Sequence, residues 1–549
     1  VKFFGKLKAV LALLTVVVLI GIMFAGCKKE EAAPAVEEEA PAVEEEAVVS
    51  KEGGTFRVYI NEPVSLDPPN SYESEGIQVI RQVFEGLVKY DTETLETVPA
   101  VAESWDVSDD GLVYTFYLKK GVNFHSGREV VAGDFAYAWS RLTLQETASY
   151  LAYHAEPIVG YDECQEGTSD TLAGVKALDD YTLEVTLKYP YGDFIKTLGH
   201  VCFYPVAQED IEEWGDEYAD HVNGNGPFKF VEWKHDQYIT LERNDDYWGD
   251  KVYLDEVKYV IFADENTAFL EYKAGNLEYT MIPQGKVKAT EEDPELKDCV
   301  IKKPLLAIYY YGMNVNTEPF KDNLALREAI GYVIDKQNIC DVVNEGVSVP
   351  ATGFVPPGIP GFKENASAIT YDPEKAKEKL AEAGYPDGEG LPTIKLGFNI
   401  GSGHEMIAEA VQADAKDIGI NIEIEGYEWG AMLEKAQSGE INFFRLGWLA
   451  DYPTMDNFLF PLFYSESADN YAGYSNPVVD EMLIEARKIS DDEERQAKYR
   501  EVEKTILDDC AFALIYFYGS RRIVQPYVKG FYLSAMEEYD LSNVWLEKE

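Results

Sequence analysis

Val98–Leu142 reads VPAVAESWDVSDDGLVYTFYLKKGVNFHSGREVVAGDFAYAWSRL, and its patterning decides the fold class. Within it, Ser104–Phe124 holds two runs rich in β-branched and aromatic residues, joined by Asp109-Asp110-Gly111. Glycine there supplies the positive φ that a tight hairpin needs, so the segment predicts two antiparallel strands. DVSDDG faintly resembles a calcium loop, yet no glutamate stands at the twelfth position, and a turn is the simpler reading. Beyond Arg128, Gly133–Leu142 carries helical spacing. Two strands and a helix in so short a stretch indicate a mixed α/β protein.

The same mixture extends outward. Gly53–Ile60 alternates apolar and polar residues and predicts a strand, Asn61–Asn70 is a proline-rich turn, and Ile77–Tyr90 has helical spacing. Ala413–Trp429 predicts a helix ending near Gly419 and then a strand. No repeat runs through the body. At 549 residues the chain is too long for one core and divides into several domains. A formal net charge of −51 excludes nucleic acid as a partner, because phosphate would be repelled. The six cysteines form no CxxC pair, which excludes a zinc ribbon and a disulfide scaffold.

The N-terminal residues form a separate unit. Lys2, Lys6 and Lys8 precede an unbroken apolar run from Ala9 to Ala25, as in a secretory signal peptide. A membrane-spanning anchor is the alternative, since the run approaches the minimum of about 17 residues. Phe24-Ala25-Gly26-Cys27 resembles the lipobox of bacterial lipoproteins, which implies cleavage after residue 26 and acylation of Cys27. APAVEEE then occurs twice in tandem, Ala33–Glu39 and Ala40–Glu46. Such an acidic segment without aromatics cannot bury enough surface to fold, so residues 27–51 read as an extended tether. The expected location is the cell envelope outside the cytoplasmic membrane, with the lipid anchor as the membrane contact.

Catalytic patterns are lacking. His404-Glu405 begins like a zinc helix, but the second histidine is missing. There is no G-x-S-x-G elbow and no phosphate-binding loop. The six histidines show no metal-ligand spacing, so no metal, no cofactor and no enzyme activity are expected. A glycoside hydrolase with paired carboxylates stays open as a different class. With 99 acidic residues any pair can be imagined, and composition lends it nothing.

Val98–Leu142 closely resembles the family 5 extracellular solute-binding proteins. Further matches follow in order: Gly224–Trp233, Leu241–Gly249, Ile308–Asn316, Leu326–Asp335, Lys379–Pro386 and Arg445–Pro453. ASYLAY (Ala148–Tyr153) and RLGWLADY (Arg445–Tyr452) look most like oligopeptide-binding proteins of ABC importers. The resemblance implies a two-lobed periplasmic-binding-protein-like α/β fold with a hinge and an extra inserted subdomain. Residues 52–92, 222–305 and 519–549 would form lobe I, 93–221 the inserted subdomain and 306–518 lobe II. It implies an oligopeptide ligand and ABC permease partners, with a monomer expected. A dipeptide, oligosaccharide or metal chelate is the same-fold alternative.

A peptide of unknown sequence offers an ammonium, a carboxylate and a ladder of backbone groups. If Arg445–Asp451 is extended, Arg445, Gly447, Leu449 and Asp451 share one face. Their ends then stand about 20 Å apart, and a tripeptide spans about 10 Å. Gly447 leaves room where another backbone approaches. By spacing alone Asp451 is better explained as an N-cap or turn residue before Pro453. The resemblance places the ammonium-binding aspartate at Asp451 and the carboxylate-binding groups at Arg445 and His404. For His404 a plain helix-start role stays open. Trp448, Leu449, Tyr310, Tyr518, Glu73 and Ser74 are the expected backbone and pocket contacts, with core packing the alternative for the aromatics. Tyr309, Tyr310 and Tyr311 alternate faces if extended, so at least one belongs to the core. Thr147 and Asn344 stand where relatives have a tyrosine and a lysine. Ala307 and Leu449 replace a cysteine pair that some relatives bridge. The pairing of Cys164, Cys202, Cys299, Cys340 and Cys510 is left open.

Overall fold

The computed structural model describes residues 53–547 apart from Ala263 and Gly401. The expected leader, Cys27 and the acidic tether lie outside the described residues. Among the described residues, no helix is long and apolar enough to cross a membrane.

The opening stretch folds as a hairpin followed by a helix. Strands Ala102–Val107 and Val113–Leu118 pair antiparallel. At their turn, Asp110 accepts hydrogen bonds from the Ser108 hydroxyl (2.6 Å) and the Leu112 N–H (3.1 Å), while Gly111 takes φ +70°. The acidic run therefore closes a turn. The helix spans Ala132–Thr143, and Asp134 both accepts the Val131 N–H and holds Arg128 through two bonds. Strands Thr182–Thr186 and Val175–Asp179 complete a four-stranded sheet.

A second sheet has seven strands, ordered Val300–Ile301, Arg522–Val524, Tyr279–Met281, Thr55–Ile60, Glu256–Ile261, Tyr238–Arg243 and Phe228–Lys234. Thr55–Ile60 buries Phe56, Val58 and Ile60 on one face, as its alternation predicts. A third sheet has six, ordered Val349–Pro350, Phe512–Gly519, Pro304–Met313, Phe443–Leu449, Ile394–Asn399 and Ile422–Tyr427. Pro304–Met313 is central there and buried on both faces. Tyr309 and Tyr311 join the apolar cluster on one side, and Ile308 and Tyr310 the cluster on the other.

The helix expected over 77–90 is shorter and earlier, Ser74–Val83, and Val88–Tyr90 is a strand. The cause is tertiary. Asn225 accepts the Glu85 N–H (2.9 Å) and donates to the Glu85 carbonyl (3.0 Å), so its amide takes the place of helical partners. Gly224 lets this approach happen, for a Cβ there would fall 1.9 Å from the Val83 carbonyl oxygen.

Among the described residues, two short connections, Lys302-Lys303 and Ser520-Arg521, pass directly between the seven-stranded and six-stranded sheets. They run side by side. Val300 pairs with Ile523, Pro304 pairs with Gly519, and the Ser520 N–H donates to the Lys303 carbonyl at 2.9 Å.

Candidate functional site

The Phe443–Leu449 strand carries the expected residues. Its register against Pro304–Met313 sets Arg445 opposite Tyr311, Gly447 opposite Tyr309 and Leu449 opposite Ala307. Arg445 is only 9% exposed and lies over the Tyr309 ring at 4.7 Å. Nη1 donates to Asn399 Oδ1 (3.0 Å) and Nη2 to the Tyr518 hydroxyl (2.7 Å), while Nε is buried without a partner. No carboxylate among the described residues pairs with it. A guanidinium stays ionised in a protein, and a buried charge without a counter-ion is costly.

The guanidinium faces a cavity of about 460 Å³ at the two crossings, between the seven-stranded and six-stranded sheets. His404, Tyr518, Asn399, Asn344, Ser74 and Arg521 also line it. Arg521 and Arg522 reach the cavity too, but Glu265 and Glu537 answer their charges. His404 begins the helix His404–Lys416, is 8% exposed, and its Nδ1 has no partner. Burial, and then the charges of Arg445 and Arg521, hold its pKa well below the ordinary histidine value. His404 therefore offers a neutral N–H, not a second cation.

Gly447 shares the guanidinium's face. A Cβ there would lie 3.0 Å from the Tyr518 hydroxyl, 3.1 Å from the Ile308 carbonyl and 3.5 Å from Arg445 Nη2. Trp448 points the other way, and its Nε1 donates to Asn457 Oδ1 at 3.1 Å. Asn457 is the pivot of the next turn. Its Oδ1 also accepts the Asp451 N–H (2.9 Å), and its Nδ2 donates to Asp451 Oδ2 (2.9 Å).

Asp451 forms a second pole. Its Oδ1 has no hydrogen-bond donor among the described residues, and neither Asp451 nor Asp469 has a cationic partner there. Burial raises the Asp451 carboxyl to about 6, against the opposing pull of Asn457 and Arg81. Burial and then the charge of Asp451 push Asp469 up to about 7. Two half-buried carboxylates that repel one another favour a cation. Arg81 does not fill that role, since it is paired with Glu538 at 2.5 Å.

The remaining expected contacts divide. Ser74 and Tyr518 line the cavity, and Leu449 is partly exposed on the strand. Tyr310 is not brought to the cavity; it is 1% exposed, and its ring packs edge-on against Phe354 and Phe512 in the core. Glu73 caps the helix Ser74–Val83 instead of reaching inward, and its carboxylate accepts the Gly76 and Val64 N–H groups. Asp469, Asn457 and Asn399 were not anticipated. Asn457 stands six residues after Asp451, within reach of a local reading; Asp469 gave no signal. The five described cysteines are all unpaired and buried.

Residues 96–470 match the family model described as bacterial extracellular solute-binding proteins, family 5 Middle. The chain is 32% identical over 514 residues to the oligopeptide-binding protein OppA of Bacillus subtilis (strain 168), covering 91% of this chain and 94% of that one. It is 35% identical over 488 residues to the periplasmic oligopeptide-binding protein OppA of Escherichia coli (strain K12), covering 86% and 88%. The structure of the Escherichia coli murein tripeptide binding protein MppA superposes with a TM-score of 0.83 at 28% identity, over 91% of this chain and 100% of that chain. The unliganded open form of MppA, at 28% identity and covering 91% and 98%, superposes with a TM-score of only 0.71. The fold is the multi-domain α/β fold of these periplasmic binding proteins.

Proposed function

The chain belongs to the bacterial extracellular solute-binding proteins of family 5, receptors and not enzymes, and from that premise we propose that it captures oligopeptides for an ABC importer. One observation carries the reading. Among the described residues, Arg445 is a buried cation without an anion, Asp451 and Asp469 are half-buried anions without an ion-pair partner, and the strand Phe443–Leu449 leads from Arg445 towards Asp451. A zwitterionic peptide supplies both missing charges. Its carboxylate meets Arg445 with a neutral N–H from His404, its ammonium meets Asp451, and its backbone passes Gly447 where no side chain intervenes. Ser74 and Tyr518 bound the carboxylate end; Trp448 acts by orienting Asn457.

In this reading residues 52–92, 222–305 and 519–549 form lobe I, 93–221 the inserted subdomain and 306–518 lobe II. The paired crossings Lys302-Lys303 and Ser520-Arg521 are the hinge, and ligand contacts made to both lobes favour closure. Cys27 carries the lipid, residues 27–51 tether the monomeric body to the membrane surface, and permease subunits receive the closed form.

Native mass spectrometry of the purified protein, followed by ligand release, tests the proposal. Co-purifying peptides of mixed sequence are expected. A sugar or a metal chelate in their place would overturn the peptide reading and leave the family assignment intact. Loss of acyl labelling in a Cys27→Ser variant tests the anchor separately.

A further inference from the structure

Three side chains that peptide capture does not use meet close to the Asp451 pole. His154 stands in the short turn Ala152–Ala155, and His200 and Cys202 lie at the turn Val201–Phe203. One donor atom from each falls within 4.8 Å of the other two. The three residues are 4%, 1% and 1% exposed. Rings of His154 and His200 stack at 4.9 Å, and Tyr452 closes over His154 edge-on at 5.8 Å.

The protein does not satisfy these groups. A neutral imidazole carries one N–H and one lone pair, and each needs a partner when buried. Neither nitrogen of His154 has one among the described residues, nor has Nε2 of His200. Nδ1 of His200 accepts only a long bond, 3.3 Å, from the Cys202 N–H. His154 therefore has a ring-nitrogen lone pair that no protein donor occupies among the described residues.

We propose that His154, His200 and Cys202 form a closed binding site for one Cu(I) ion. Two imidazoles and a thiolate suit Cu(I) and Zn²⁺ alike by donor type. Charge favours the monovalent ion, because Zn²⁺ with one thiolate would leave a net positive charge to desolvate. Cu(I) with one thiolate is neutral. Ligand bonds of about 2.0–2.3 Å put three donors roughly 3.5 Å apart, so small side-chain rotations close the present spacing. As the copper–sulfur bond forms, the thiol proton leaves to solvent. No electron moves, because the ion arrives as Cu(I).

An anaerobic titration of the purified full chain with the coloured Cu(I)–bathocuproine disulfonate complex tests the site, the absorbance reporting transfer to the protein. One equivalent is expected to transfer, and that equivalent should vanish in Cys202→Ser. Cys164→Ser and Cys299→Ser, which alter buried cysteines elsewhere, should keep it. His154→Gln should weaken retention at least tenfold and serves as the second probe if Cys202→Ser does not fold. X-ray absorption of the loaded protein should show one sulfur and two nitrogen neighbours. Absence of transfer, equal transfer in Cys202→Ser, or displacement of Cu(I) by an equal concentration of Zn(II) would each overturn the assignment. Peptide binding by the same samples is a separate readout, so failure of one proposal does not imply failure of the other.

Discussion

Among the described residues neither Asp451 nor Asp469 forms an ion pair, and their raised carboxyls predict a pH-dependent affinity. The charges facing them are the Arg81–Glu538 pair, with the neutral Tyr90, Tyr153 and Cys202 around Asp451. A peptide ammonium binds the ionised form, and the two carboxyls titrate as a unit near pH 6–7. Affinity for free-amine peptides should therefore fall as pH drops from 7 towards 5, whereas N-acetylated peptides should bind weakly at every pH; calorimetric titration against both ligands checks this. Stability of the unliganded protein should move the other way. A carboxyl whose folded pKa is raised favours the folded state at low pH and withdraws that support as pH rises through the folded value. Asp451→Asn keeps an acceptor for Asn457, so it should raise the unliganded melting temperature near pH 7.5. It should also weaken free-amine peptide binding by about 2–5 kcal/mol, the usual cost of truncating one partner of a desolvated charge pair. An Asp451→Asn protein that bound as tightly as the parent would remove the ammonium assignment. Arg445→Met should produce the same loss for short peptides with a free carboxylate and little loss for C-terminal amides.

At the scale of elements, local patterning carried far but stopped where distant segments intervene. The hairpin about Asp110, the helix after Arg128 and the alternating strand Thr55–Ile60 were all legible, because period and turn chemistry are local. The helix read through to Tyr90 ends at Val83 because Asn225, 140 residues away, binds the backbone of Glu85. The faces of Tyr309, Tyr310 and Tyr311 followed from the strand period, but which face holds the cavity did not. Tyr310 consequently sits in the core. Asp469 and the cluster of His154, His200 and Cys202 were beyond reach for the same reason, since folding alone makes them neighbours. The Gly224 approach gives a stability test. Gly224→Ala puts a methyl against the Val83 carbonyl and should destabilise the protein by about 1–3 kcal/mol, as overpacking does. Denaturant unfolding with an unchanged slope would confirm it, and an unchanged midpoint would show that the Ser74–Val83 helix end yields freely.

At the scale of the whole molecule, if the proposed hinge operates, the contacts between the proposed inserted subdomain and lobe II set how easily the cavity opens. Tyr191 and Asp193 follow the four-stranded sheet, while Arg487 and Arg495 belong to helices packed beside the six-stranded sheet. Asp456 is fully buried and accepts from Arg487 (2.8 Å to each oxygen), Tyr499 (2.7 Å), Tyr452 (3.0 Å) and, from across the interface, Tyr191 (2.9 Å). Burial alone would raise that carboxyl, yet Arg487 brings it below its ordinary value. Arg495, 2% exposed, reaches across to Asp193 at 2.9 Å. These bonds join segments distant in sequence, so the proposed hinge opening would break them while leaving each sheet intact. Asp193→Asn removes one charge from that interface and touches no proposed ligand group. Asp492 and two carbonyls still hold the guanidinium, which limits the cost to about 1–3 kcal/mol. If that energy belongs to the closed form, apparent peptide affinity falls with the closed population, roughly 5- to 150-fold. Small-angle scattering of the unliganded variant should then show a larger radius of gyration than the parent, converging on the parent value when peptide is saturating. A variant that melts earlier but scatters and binds like the parent would instead place Asp193 and Arg495 within one rigid body, with the moving surface elsewhere along the cavity.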